Sequence, residues 1–162
     1  MPENRLEFLN NAFSNYRVQI LNGGFHAIIF NPFYNKNINI HCYPEDDYTP
    51  FHVCFSFQHC HLTDKEDVVD WINKIITGDK FAIEFFKNGK NCFGGDIKSE
   101  ALDNISYEKI EKYTGYYGST KLFRIVDSFK VRGWNPESNF DAVLVFEKDG
   151  TIAIEKHTAV NC

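Results

Sequence analysis

Residues 81–97 read FAIEFFKNGKNCFGGDI, and their pattern decides the fold class. Phe81 to Lys87 and Lys90 to Ile97 are short runs rich in β-formers. Between them stands Asn88-Gly89, the pair that best supplies the two positive-φ residues of a type I′ turn. A hairpin is predicted, and with it antiparallel pairing. Gly94-Gly95 gives up side-chain packing inside the second run and predicts a bulge or a close backbone approach. Glu84, within the first run, is expected at the sheet margin or paired across the hairpin with a lysine such as Lys90.

Working outward, Thr63-Asp64-Lys65-Glu66 has the form of a capping box, with Thr63 as the cap. Val68, Val69, Ile72, Ile75 and Ile76 then make one apolar stripe and Gly78 a left-handed terminator, which predicts a helix over 64–77. Upstream, Val18 to Phe30 (broken at Asn22-Gly23-Gly24), Ile38 to Tyr43 and Phe51 to Phe57 alternate as strands do, after an opening helix over 3–16 carried by Leu6, Leu9, Phe13 and Tyr16. Downstream, Ser99 to Tyr113 reads as partly helical, and Tyr113, Tyr116 and Tyr117 are expected to pack beneath a Gly115–Gly118 loop. Lys121 to Val131 reads as a long strand. Ala142 to Phe146 pairs with Thr151 to Glu155 across Asp149-Gly150.

Strands in hairpin-like runs with helices segregated between them are the α+β pattern. The expected architecture is a single, mostly antiparallel sheet, with scope for strong curvature, and two or three helices packed on it. With 162 residues, 43% hydrophobic and 16% aromatic, the chain is expected to form one domain over 1–162. Met1-Pro2-Glu3-Asn4-Arg5 has no leader character and no run approaches a membrane span, so a cytoplasmic protein with no membrane partner is expected. Five cysteines, at 42, 54, 60, 92 and 162, are an odd number at irregular spacing, which fits reduced thiols.

Four of the six histidines and three of the five cysteines fall between His41 and His61, and both are good zinc ligands. His41, His52, Cys54 and His59 are the candidate metal ligands. Along one strand through 52–60, however, His52, Cys54 and Cys60 share a face while His59 and His61 take the other, and no CxxC or HxxxH unit is present. No metal or other cofactor is therefore expected. A Cys/His nucleophile pair is disfavoured by the acidic surroundings and by the lack of an oxyanion-hole signature, so no catalytic residue is assigned and no enzyme is expected. The glycine pairs do not have nucleotide-loop spacing.

Charge is the strongest remaining signal. Net charge is -5, and residues 41–79 hold eight Asp/Glu against Lys65 and Lys74. Glu45, Asp46, Asp47, Asp64, Asp67 and Asp70 form an acidic zone that repels nucleic-acid phosphate and attracts a basic protein, with Tyr48 and Trp71 as candidate anchors. Acids in a first helical turn also serve the helix dipole without any partner.

The short acidic α+β chain, its aromatic runs Phe51 to Phe57 and Phe81 to Phe86, and its lack of a catalytic motif resemble the immunity proteins of bacterial contact-dependent growth inhibition and related polymorphic toxin systems. That resemblance implies a protein that binds the C-terminal toxin domain of its own strain, often a nuclease, and neutralises it by stoichiometric occlusion. The alternatives are a metal-binding or hydrolytic enzyme using the His/Cys segment 41–61, or a small-ligand-binding module.

Overall fold

In the computed structural model, residues 5–46, 48–103, 105–106 and 126–159 are described. The chain divides into two units, Met1–Ile76 and Thr77–Cys162. The class is α+β as expected, but the expected single sheet is replaced, among the described residues, by two antiparallel, five-stranded sheets. Among the described residues, strands before the capped helix pair with one another, and strands after it do the same. Period and turn signals reveal strands but do not say whether two successive runs share an edge.

The first unit contains α1 (Phe8–Ala12), β1 (Val18–Leu21), β2 (His26–Ile29), β3 (Ile38–Cys42), β4 (Phe51–Phe55), β5 (Gln58–Leu62) and α2 (Lys65–Ile76). The sheet is a plain meander, β1-β2-β3-β4-β5. β2, β3 and β4 alternate strictly, so Ala27, Ile29, Ile38, Ile40, Cys42, Phe51, Val53 and Phe55 are buried on one face. Val68, Trp71, Ile72 and Ile75 form the buried side of α2, which contacts β4 and α1. The opening helix is shorter than expected, although Leu6, Leu9 and Phe13 are buried as a helical stripe would have them. Asn10, Asn11, Ser14 and Asn15 compete for backbone hydrogen bonds, and Phe13 has already left helical geometry at φ -123°. The cap of α2 is Asp64 rather than Thr63: its carboxylate accepts from the Asp67 amide at 2.8 Å.

The second unit contains β6 (Lys80–Lys87), β7 (Lys90–Lys98), β8 (Ser128–Arg132), β9 (Phe140–Phe146) and β10 (Ile152–Thr158), in the order β10-β9-β8-β6-β7. The predicted hairpin forms, with Asn88 at φ 49° and Gly89 at φ 72°. Its bulge lies elsewhere than expected. Gly94 and Gly95 pair regularly with Glu84 and Ile83, whereas the register slips between Phe85 and Phe86 and leaves Cys92 as the extra residue. Glu84 is likewise not marginal: it is 2% exposed, faces Lys130 across β8, and accepts from Asn91 Nδ2 at 3.3 Å. Lys90 pairs with Lys87 instead. One face of this sheet forms a core of Phe81, Ile83, Phe85, Ile97, Phe129, Val131, Ala142 and Leu144.

Ser99–Ala101 forms one 3-10 turn, and the rest of the helix expected over 99–113 falls largely, as do Tyr113, Tyr116 and Tyr117, outside the described residues. Of the strand expected over 121–131, residues 121–125 also lie outside them. The β9–β10 pairing is as predicted, joined through Gly150 at φ 89°. Among the described residues no helix is long and apolar enough to cross a membrane.

Candidate functional site

The side of the first sheet that faces away from its buried core is built by the same alternation that builds the core. Register places His26 opposite His41, His41 opposite His52 and His52 opposite His61. Cross-strand partners share a face, so four histidines run in one row over β2, β3, β4 and β5. The next row holds Asn39, Cys54 and His59.

The expected parity of this segment is thereby corrected. Residues 52–61 are not one strand but a hairpin that turns at Ser56-Phe57, with Phe55 opposite Gln58. Folding back puts His59 and His61 on the side of His52 and Cys54, and Cys60 on the other. His61 and His26 are the residues that sequence reasoning missed. The one available sign was the near-mirror arrangement of His52-Val53-Cys54 and His59-Cys60-His61 about Ser56-Phe57.

The rings are close. His26 and His41 stack at 4.4 Å with planes 6° apart, His52 and His61 lie 3.8 Å apart at 53°, and His59 and His61 lie 5.1 Å apart at 64°. Tyr43 stands by the row, 4.5 Å from the His52 ring. His26 Nε2 donates to Asn39 Oδ1 at 3.4 Å. Burial pushes the His41 imidazole below its ordinary value, and neighbouring His26 adds to the effect. Burial also lowers His52, seconded by His61, while Asp46 pulls it up and His59 and His41 push it down. Both are thereby favoured as neutral rings. Burial raises the Cys54 thiol, the wrong direction for a nucleophile. As the side chains stand, no three His, Cys, Asp or Glu groups among the described residues gather round a common point.

The acidic zone is assembled differently. Cys42 pairs with Phe51 and Phe51 with Leu62, so the β3–β4 loop and the start of α2 lie at the same end of the sheet. Glu45, Asp64, Glu66 and Asp67 are exposed there, and Tyr48 is 84% exposed. Some of these carboxylates have structural work. Asp46 accepts from the Thr49 and Tyr48 amides at 2.9 and 3.0 Å, bonds that hold its carboxyl below the usual range and pin the loop. Asp64 caps α2, and Asp70 pairs with Lys74 one turn along. Asp47 lies outside the described residues. Trp71 is not a surface anchor: it is 5% exposed, because it falls on the apolar stripe of α2 beside Val68, Ile72 and Ile75. Between α1 and α2 runs an open groove of about 710 Å³ with Phe8, Ala12 and Val69 in its wall and Glu66 and Asp70 along its lining. No family model, curated protein or solved structure matches this chain.

Proposed function

We propose that this protein is an immunity protein that neutralises a cognate toxin domain, a basic nuclease, by stoichiometric occlusion. The reading is carried by one observation: two acidic stretches separated in sequence lie at the same end of the first sheet, and Glu66 and Asp70 of the second stretch line the groove between α1 and α2 along with Lys65. Glu66, Asp67 and Glu45 supply exposed negative charge, which steers a basic partner and raises its rate of encounter. Tyr48 offers a large, rigid ring with a polar tip in the same loop, the kind of side chain that slows release once buried. Binding without turnover is the whole of the mechanism, and it uses no catalytic group of this chain.

The test is affinity capture of the tagged chain from lysate of its native strain, with intact-complex mass, followed by association kinetics against the captured partner. A one-to-one complex with a basic protein fragment is expected. The combined change Glu45→Lys, Glu66→Lys and Asp67→Lys should slow association by at least about tenfold at low salt, with the difference shrinking as salt is added. A partner without excess positive charge, or association indifferent to the charge reversals, would sink this reading.

A further inference from the structure

The exposed side of the β4–β5 hairpin carries a two-by-two block of metal-ligating side chains. His52 and Cys54 stand on β4, His61 and His59 on β5, with His52 opposite His61 and Cys54 opposite His59. Neighbours across an antiparallel pair are about 5 Å apart and residues i and i+2 about 7 Å apart, spans that imidazole and thiol arms can close toward one centre. The ring planes within the block are inclined at 53° and 64°, so their nitrogens do not run side by side. Those of the His26–His41 pair, stacked at 6°, do, and as the rings stand that pair does not point at one ion. A second observation is independent of the spacing: His52 Nε2 is buried with no hydrogen-bond partner. A buried ring nitrogen left in that state is costly, and coordination relieves the cost.

We propose that His52, Cys54, His59 and His61 bind one divalent transition ion, of which Zn²⁺ fits best, through three imidazoles and a thiolate. Three nitrogens and one sulfur are a tetrahedral set suited to this ion, with donor distances of about 2.0 to 2.3 Å. His59 and His61 are exposed and turn into place by rotation about their side-chain torsions, leaving the core packing untouched. Coordination takes the Cys54 thiol proton off to solvent and leaves a thiolate on the metal. The ion joins β5, an edge strand, to β4.

The experiment uses the full chain, purified without a histidine tag, stripped with chelator and titrated with Co²⁺ as the spectroscopic stand-in for Zn²⁺. Saturation at one equivalent is expected, with the intense visible bands of tetrahedral cobalt and a near-ultraviolet thiolate-to-cobalt band, both displaced by Zn²⁺. Cys54→Ser should abolish the thiolate band. His59→Ala and His61→Ala, at exposed positions that fold without the ring, should each weaken binding by at least about tenfold, while His41→Ala should bind as the parent does. Weak octahedral bands, a missing thiolate band in the parent, or undiminished affinity in the His59→Ala and His61→Ala variants would overturn the site.

Discussion

The two sheets share strand number and antiparallel pairing, yet their polar faces handle charge in opposite ways. In the second sheet one row across four strands reads Glu84, Lys130, Asp141 and His157, so a carboxylate meets an ammonium and an ammonium meets a carboxylate. Arg132 adds an ion pair to Asp141 at 2.7 Å and donates to the Val131 and Phe140 carbonyls at 2.9 and 3.1 Å. In the first sheet the equivalent row is His26, His41, His52 and His61. Four like groups cannot compensate one another: each added proton sits beside another imidazole. One face sets opposite charges side by side, whereas on the other burial favours His41 and His52 as neutral rings.

The largest effect should come from breaking the compensated face. Arg132 is largely buried, with side-chain exposure of 12%, and Arg132→Ala removes the ion partner of Asp141 and a donor to two carbonyls. A loss of about 1–3 kcal/mol is expected in urea denaturation at pH 7. A cost near zero would mean that solvent replaces the guanidinium and that the face is not held by pairing.

A smaller effect sharpens the contrast from the other side. The native pKa values of His41 and His52 lie below the unfolded value of about 6.5, so the folded chain binds these protons less tightly than the unfolded chain. Their contribution is fully present above about pH 6.5 and is lost as pH falls through the lowered native values. Urea midpoints measured from pH 8 to pH 5 in the presence of chelator should therefore decline below about pH 6.5, and His41→Gln should flatten part of that slope. A parent slope unchanged by this substitution would show that protonation of His41 does not contribute to acid sensitivity.

The smallest effect concerns the turn that creates the row. Ser56 holds φ at 56°, a region that favours glycine. Ser56→Gly should stabilise the chain by no more than about 1 kcal/mol, visible as a rise in Tm. A fall in Tm would mean that the serine makes up for its strain through contacts of its own.

That same turn marks where the sequence stopped being legible. The β6–β7 and β9–β10 hairpins carry Asn88-Gly89 and Asp149-Gly150, and α2 carries its stripe, so local chemistry located all three. Ser56-Phe57 offers no glycine, asparagine or proline, and reading through it as extended chain sent His59 and His61 to the wrong side. All four candidate ligands, His41, His52, Cys54 and His59, prove to share a face; the row itself needed the register of four strands, which is long-range information. Trp71 illustrates the reverse case. Its place on the α2 stripe was readable from its spacing to Val68, while the acidic residues around it pointed to the surface.

The displaced bulge at Cys92 bears on how copies of this chain behave at high concentration. Among the described residues β7 is an outer strand of nine residues, and an uninterrupted outer strand of that length is a template for addition of a further strand from another molecule. The extra residue breaks the regular two-residue repeat of amides and carbonyls partway along it and increases the local twist. A second chain laid against β7 could follow its hydrogen-bonding rhythm on one side of Cys92 only, which guards the unit against fibre-like growth from that edge.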